Sequence, residues 1–148
     1  MSTTAAANKP SFTPPTPSPL DLATRAVAVR LVELCAAGKG IDAIQELYAD
    51  NARHIEAVEM PGCPRITEGK AALLEKGQKF AKTTTVHSMS CGKPLVNGNQ
   101  FTCAMSMDCT CSEGPMAGKR MEMSETCLYT VKDGKIAEGK FFYGGCGA

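Results

Sequence analysis

ELYADNARHIEAVEMPGCPRITEG, residues 46–69, joins the end of one predicted helix to the start of the next. Between the helices an extended segment carries His54 and Glu56, two side chains that exchange protons, among apolar neighbours. Titratable groups on a segment that is predicted to be buried are typical of a pocket wall. We therefore expect any chemistry of this protein to be centred on this segment.

Two predicted helices precede it. Ser18 is a typical N-cap residue, and the Pro and Asp that follow suit the first helical turn. Apolar residues then recur at helical spacing as far as Gly38, which can end the helix in the left-handed conformation. A shorter helix is predicted over residues 41–48, with the turn out of it at residues 50–51.

After residue 69 the pattern changes from helix to strand. A third helix is predicted from Gly69 to about Ala81. Four strands follow, over residues 83–95, 101–112, 120–131 and 136–143. Asn-Gly and Asp-Gly pairs between alternating apolar runs indicate tight hairpins. Helices followed by an antiparallel meander indicate an α+β domain, in which three N-terminal helices and a curved, cone-shaped antiparallel sheet enclose a pocket.

The composition predicts one folded domain and a disordered tail. A chain of 148 residues suits a single domain, here residues 20–148. Residues 1–19 hold five of the nine prolines and few large apolar side chains, so we expect them to be disordered. The sequence has neither the apolar core of a signal peptide nor a membrane-spanning stretch. We therefore expect a cytoplasmic protein without membrane contact.

Charge and cysteine spacing argue against two further classes of function. Lys and Arg number 16 and Asp and Glu 15, so no basic surface for nucleic acid is expected. None of the eight cysteines forms a Cys-x-x-Cys pair, the usual zinc signature. We expect free thiols that pack as small apolar side chains, and neither a metal site nor a cofactor. The alternative for the Met- and Cys-rich strands is copper(I), which prefers soft ligands.

Several motifs resemble one known family. YADNA, EGKAALLEKG, YTVKDGKI and FFYG resemble the SnoaL-like group of the nuclear transport factor 2-like superfamily, over about residues 20–144. The resemblance implies a cone of three helices and a curved sheet, often as a homodimer. That superfamily includes steroid isomerases, polyketide cyclases, dehydratases and epoxide hydrolases, so the fold alone leaves the reaction open.

The resemblance extends to individual site positions only in part. Glu56 falls where ketosteroid isomerase-like members carry their carboxylate base. Leu31 or Val32 falls where those members carry a proton-donating tyrosine, and neither can donate. Their second, protonated carboxylate falls near Thr126, beside Glu125. These departures argue against the usual steroid isomerase mechanism.

The extended segment, predicted over residues 53–59, supplies the first candidates. Alternation places His54, Glu56 and Val58 on one face, with about 7 Å along the strand between the first two. If this face lines the cavity, burial would raise the pKa of Glu56 towards the range of a general base, with His54 as a helper. The alternative is that the opposite face points inward and this one is solvated.

Most of the other candidate residues lie in the hairpin of the second and third predicted strands. Glu125 interrupts an alternating apolar face, where a charge needs a partner, a proton or solvent. If the hairpin centres on Met116, Met107 lies opposite Glu125. Asp108 is expected to face solvent or a dimer partner, and His87 is the other histidine of a potential pair. The expected pocket-lining residues are Glu125, Tyr129, Met107, Met123, Cys127 and Val58.

The leading functional hypothesis is a protein that binds a small lipophilic molecule. Acid–base isomerisation, cyclisation or dehydration of that molecule would use Glu56 as the base and His54 or Tyr129 as the helper. The contrasting hypothesis is a non-catalytic, dimerising module that binds a ligand or a protein partner. A buried carboxylate with a raised pKa favours the enzyme, and two solvated carboxylates in an open cone favour the module.

Overall fold

The structure of the protein is a computed structural model, which describes residues 11–144. Its helices and strands, in chain order, are α1 (Pro19–Ala36), α2 (Gly40–Leu47), β1 (Tyr48–Ile55), β2 (Ile66–Glu68), α3 (Lys70–Thr83), β3 (Thr84–Cys91), β4 (Leu95–Asn97), β5 (Gln100–Cys111), β6 (Arg120–Lys132) and β7 (Lys135–Phe142). The α+β class, with three helices against a curved sheet, is confirmed. Of the predicted disordered tail, residues 1–10 lie outside the described part, and residues 11–18 form neither helix nor strand.

A capping box fixes the start of α1. The Oγ atom of Ser18 accepts the backbone N–H of Asp21 at 3.1 Å, and Oδ2 of Asp21 accepts that of Ser18 at 2.9 Å. The other carboxylate oxygen of Asp21 accepts the backbone N–H of Gly98 at 2.8 Å, which ties α1 to the turn between β4 and β5. Gly38, at φ +73°, follows the helix in the left-handed conformation, as predicted.

The sheet is antiparallel except at one pair of strands. Its strand order is β2-β1-β7-β6-β5-β3, with β4 paired to β5. β1 runs parallel to β7, with His54 opposite Gly139. The predicted antiparallel meander of the strands after α3 is confirmed, and β1 joins it by pairing in parallel with the last strand. The single strand predicted over residues 83–95 is wrong, since residues 92–94, which include a proline, separate β3 from β4.

Three details around β1 differ from the prediction. Tyr48 begins β1 instead of ending α2, and residues 50–51 lie within the strand instead of a turn. The strand ends at Ile55, so Glu56 and Val58 follow it and do not extend it. The reason is pairing: β7 supplies a partner for Tyr48, whereas the ladders to β2 and β7 both stop at Ile55.

The register between β5 and β6 differs from the predicted one by two residues. Met105 lies opposite Glu125, and Met107 lies opposite Met123, because the connection centres one residue earlier than expected. The backbone N–H of Gly118 closes that connection by donating to the carbonyl of the last residue of β5 at 2.8 Å. A displacement of two residues leaves every side chain on its predicted face of the sheet.

The core lies between the helices and the concave face of the sheet. Leu31 of α1, Leu73 of α3 and Phe101 of β5 are each about 1% exposed, and Ile136 of β7 is fully buried. Burying a side chain of this size contributes roughly 1.5–3 kcal/mol. This core holds the concave face, and the polar groups on it, in fixed positions.

Candidate functional site

The inner face of β5 and β6 carries three neighbouring cross-strand pairs. From the closed end outward, the pairs are Cys103 with Cys127, Met105 with Glu125, and Met107 with Met123. The cysteines are 3% and 0% exposed, whereas Met123 is 41% exposed. The concave face therefore opens to solvent at the Met123 end, and Glu125 lies between the core and the opening.

The elements around this opening leave apolar side chains exposed. Val86, in line with the inner face of β5, is 41% exposed, and Phe80 of α3 is 44% exposed. Phe80 follows Leu73 by seven residues, so both lie on the same face of the helix. Val58, after the end of β1, is 40% exposed. Exposed apolar side chains beside a concave face are typical of a surface that receives an apolar partner.

Glu56 lies directly after β1 and is held by two donors. Lys76 of α3 forms a close ion pair with Oε1, and the Tyr143 hydroxyl donates to Oε2 at 3.0 Å. The side chains of Glu56 and Lys76 are only 12% and 25% exposed. Burial and the charge of Glu56 raise the pKa of Tyr143 to about 12, so the phenol remains a donor near neutral pH. Both carboxylate oxygens of Glu56 therefore have partners.

His54 is a neutral imidazole in aromatic surroundings. Its Nε2 lies 2.9 Å from the hydroxyl of Tyr48, and its ring packs edge-on against Phe141 with 4.8 Å between centroids. Burial, assisted by the positive charge of Lys76, lowers the pKa of His54 to about 3. The ring is thus uncharged near neutral pH. One of its nitrogens can accept a hydrogen bond and the other can donate one, but the ring cannot act as an imidazolium acid.

Glu125 is a carboxyl group that its surroundings keep protonated to higher pH. Burial raises its pKa, and the charge of Glu56 adds to the effect. The Cys127 thiol, which donates to Oε1 of Glu125 at 3.5 Å, and the charge of Lys76 act in the opposite direction. Carboxyl groups in such different surroundings can divide the roles of acid and base between them.

Electrostatic coupling joins these groups into one site. The charge of Lys76 acts on His54 and on Glu125, and the charge of Glu56 acts on Glu125. These groups come from β1, the residue that follows it, α3 and β6. The fold therefore brings together polar groups from separate parts of the chain on the concave face.

Comparison with known proteins identifies the family. The SnoaL-like domain family matches residues 22–143, most of the described chain. This chain belongs to the SnoaL-like family. A solved structure from Mesorhizobium loti, provisionally assigned as a SnoaL-like polyketide cyclase, is 36% identical with a TM-score of 0.73. The alignment covers 80% of this SnoaL-like protein and 97% of that chain.

More distant structures share the fold alone. A Jannaschia protein, also provisionally assigned as a SnoaL-like polyketide cyclase, is 15% identical with a TM-score of 0.67, over 87% of this chain and 90% of that one. An LEH-like epoxide hydrolase from M. tuberculosis is 9% identical with a TM-score of 0.64, over 86% and 83%. No match was found among proteins with curated descriptions.

The residues predicted for the site lie at different depths in this SnoaL-like protein. Tyr129 is 3% exposed and stacks on Phe101 with 4.9 Å between centroids, at the closed end. Burial raises the pKa of Tyr129 well above its usual value. Glu56 and Glu125 lie nearer the opening, and Val58 lies outside β1 on the exposed side. Of the predicted set, the members in β5 and β6 thus lie along one inner face, from the buried end to the exposed end, whereas Val58 lies outside the strands.

Lys76 and Tyr143, the partners of Glu56, were missed by the sequence reasoning. Lys76 carries a detectable signal, because it follows Leu73 by three residues and so falls on the buried face of α3. A charged residue on such a face needs a partner. Tyr143 lies directly after β7, and although it belongs to the FFYG motif, the motif does not indicate a contact with Glu56.

Two residues considered for the site lie on the other face of the sheet. His87 hydrogen-bonds through Nε2 to the Thr110 hydroxyl at 2.8 Å. Asp108 accepts two hydrogen bonds from the guanidinium of Arg120, at 2.8 and 2.7 Å. Arg120 lies on the neighbouring strand, so the strand of Asp108 itself gave no sign of this pair. Neither His87 nor Asp108 contacts the concave-face groups described above.

Surface depressions lie away from these groups. One, of about 420 Å³, is lined by Glu75, Gln78, Lys79, Lys82, Thr83, Ser112 and Glu113. A second, of about 390 Å³, is lined by Arg30, Leu34, Lys39, Asp42, Gln45 and Glu46. Within residues 11–144 no group of three or more His, Cys, Asp or Glu side chains is arranged to hold a metal ion. No helix in that range is long and apolar enough to cross a bilayer.

Proposed function

We propose that this SnoaL-like protein binds a small lipophilic molecule on the concave face, between α3 and the inner rows of β5 and β6. The supporting observation is the difference in solvent exposure between the two ends of that face. Met123 and Phe80 at the opening are 41% and 44% exposed, whereas the Glu56–Lys76 pair is largely shielded. Covering apolar side chains gains roughly 25 cal/mol per Å² removed from water. A single carbonyl or hydroxyl group of the ligand would reach the donors on Lys76 and Tyr143.

In the catalytic form of this proposal Glu56 is the proton acceptor. A ligand oxygen that takes over the hydrogen bond from Lys76 or Tyr143 would free one oxygen of Glu56 to accept a proton from carbon. Glu125, whose pKa burial raises, can hold a proton for return to the substrate. His54 and Tyr129, both uncharged near neutral pH, would serve as hydrogen-bonding helpers. This arrangement suits isomerisation, cyclisation or dehydration next to a carbonyl group.

A second candidate is a binding module without catalysis. It is favoured by the two hydrogen bonds that already occupy both oxygens of Glu56. In this role Lys76 and Tyr143 orient a ligand and no proton moves. Under either candidate we propose a homodimer, from the family resemblance, and a cytoplasmic location, from the composition.

Native mass spectrometry of the full chain tests binding directly. Wild-type protein, Glu56→Gln and the matched control Glu59→Gln, at an exposed position three residues away, are purified gently and examined for a retained small molecule. The same proteins are then assayed with a panel of cyclic ketones, enones and epoxides. We expect a retained ligand in all three, and turnover reduced by a factor of about 100 or more in Glu56→Gln alone.

The outcomes separate the two candidates. Retention or saturable binding without turnover supports the module. Turnover that Glu56→Gln does not change removes Glu56 as the base. No retained molecule and no binding from the panel would reject the lipophilic-ligand proposal itself.

A further inference from the structure

We propose that Cys103 and Cys127 form a redox-active dithiol, which a small hydroperoxide converts into an intrachain disulfide. The two residues are direct cross-strand partners on the inner face of β5 and β6. Residues opposite each other in an antiparallel ladder have Cα atoms about 4.5–5.5 Å apart. Disulfides span Cα separations of about 4.4–6.8 Å, so this cross-strand pair lies within the range that a disulfide bridges.

The two thiols shift each other's pKa in opposite directions, which gives them unequal roles. Interaction with Cys127 lowers the pKa of Cys103, whereas the same interaction, together with burial, raises that of Cys127. Cys103 is therefore the better nucleophile of the two, because the thiolate is the reactive form. Cys127 is suited to the second step, in which a neighbouring thiol closes the bond.

Glu125 provides a proton acceptor beside the pair. Its Oε1 lies 3.5 Å from the sulfur of Cys127. A thiol has a single proton, so Cys127 can donate either to Glu125 or to Cys103. This chain of three groups lets a proton leave the pair towards the partly open row that contains Glu125.

The reaction balances in two steps. The Cys103 sulfur attacks the nearer peroxide oxygen, the O–O bond breaks, and a sulfenic acid and an alcohol (or water, from hydrogen peroxide) are formed. The Cys127 sulfur then attacks the sulfenic sulfur, the S–O bond breaks, and water leaves. The two thiols lose two electrons in total, which the hydroperoxide accepts.

Two other thiols are potential competitors. Cys35 of α1 and Cys91 of β3 lie near enough that the charge of Cys103 acts on both of them. Burial raises the pKa of Cys35 to about 12, so Cys35 is a weaker nucleophile than Cys103 for the first step. Cys91 lies opposite Met105 and so lacks a thiol directly across the ladder.

Peptide mapping of the native, full-length protein tests the proposal. Reduced protein is treated with one equivalent of hydrogen peroxide, blocked with iodoacetamide and digested with trypsin. Cleavage after Lys82, Lys119 and Lys132 separates the peptide containing Cys103 from that containing Cys127, because the bond between Lys93 and Pro94 resists trypsin. We expect the mass of the intact protein to fall by the mass of two hydrogens. We also expect these two peptides to be found linked, and dithiothreitol to reverse the link completely. Fragmentation must place the link on Cys103, because Cys91, Cys109 and Cys111 share its peptide.

Variants on the same strand give a matched control. Cys103→Ser and Cys127→Ser should abolish the link, whereas Cys109→Ser, a buried cysteine opposite Met121, should retain it. Far-UV circular dichroism of the oxidised wild type establishes that it remains folded. A link to any other cysteine, a link that forms only in urea, or a folded protein with every thiol still reactive after treatment would each overturn the proposal.

Discussion

Gly139 of β7 lies opposite His54 of β1 and leaves no space for a side chain beside the imidazole ring. A Cβ atom at position 139 would lie 3.1 Å from Cδ2 of His54 and 3.0 Å from Cε1 of Tyr129. It would also lie 3.3 Å from Cζ of Phe141. The missing side chain thus defines where three aromatic rings of the concave face can lie.

Gly139→Ala should therefore destabilise the protein. The added methyl group overpacks a site bounded by rigid rings, at a cost of about 1–3 kcal/mol in the free energy of unfolding. Urea titration followed by circular dichroism measures the effect. Gly40→Ala is the matched control, because a Cβ atom added there would meet no other atom within 4 Å and the residue begins α2. Equal effects of the two substitutions would show that His54 and its neighbours are free to move.

His54 should make stability depend on pH in a specific range. Its pKa is about 3 in the folded state and 6.5 in short peptides, so below pH 6.5 the unfolded chain binds a proton that the folded protein does not. Stability is fully present above that value and is lost as the pH falls towards 3. We expect a loss of about 2 kcal/mol between about pH 7.5 and pH 5.

Two variants isolate this contribution. His54→Gln removes the titrating ring and should flatten the dependence over that range. His87→Gln removes the histidine on the outer face and should leave the wild-type slope in place. Urea midpoints at several pH values give the comparison, and a wild-type slope in His54→Gln would contradict a buried, neutral imidazole.

Glu125 should have the opposite pH dependence. Because its pKa is raised in the fold, the protonated form is favoured there, and stability is lost as the pH rises from 4.5 through the folded-state value. Glu125→Gln should consequently stabilise the protein near pH 8, with the gain vanishing near pH 4. Glu122→Gln, at an exposed position on the same strand, should show no such trend. Stabilisation that is independent of pH would contradict the buried carboxyl.

The ion pair between Glu56 and Lys76 should be energetically coupled. A double-mutant cycle with Glu56→Gln and Lys76→Met should give an interaction energy of about 1–3 kcal/mol, because the pair is shielded from water. The exposed pair of Arg53 and Glu68, 3.9 Å apart, should give less than about 0.5 kcal/mol in the same cycle. Equal coupling in both pairs would mean that water reaches Glu56 freely.

Local signals predict much of this fold. The Ser18 cap, the left-handed Gly38 and the three helices follow from residues within one or two turns of each other. The hairpin between β5 and β6 follows too, and its two-residue displacement still leaves Glu125 on the inner face. These features depend on residues that are close to one another in the chain, so they can be predicted from the sequence.

The partners within the site depend on long-range packing instead. Lys76 and Tyr143 lie 20 and 87 positions from Glu56 in the chain. The parallel pairing of β1 with β7 brings the second of them into reach, and no local pattern reveals which strand pairs with β1. For this reason Glu56 could be selected from the sequence, whereas its hydrogen bonds could not.

The pairing of the first strand with the last also determines when the site can form during synthesis. β1 leaves the ribosome early, but it has no parallel partner until β7 has been made. The same late segment supplies Gly139 beside His54 and Tyr143 beside Glu56. The helices and the hairpin of β5 and β6 can assemble from contacts closer in the chain, which close faster. His54 and Glu56 consequently reach their final surroundings only after β7 and Tyr143 have been made.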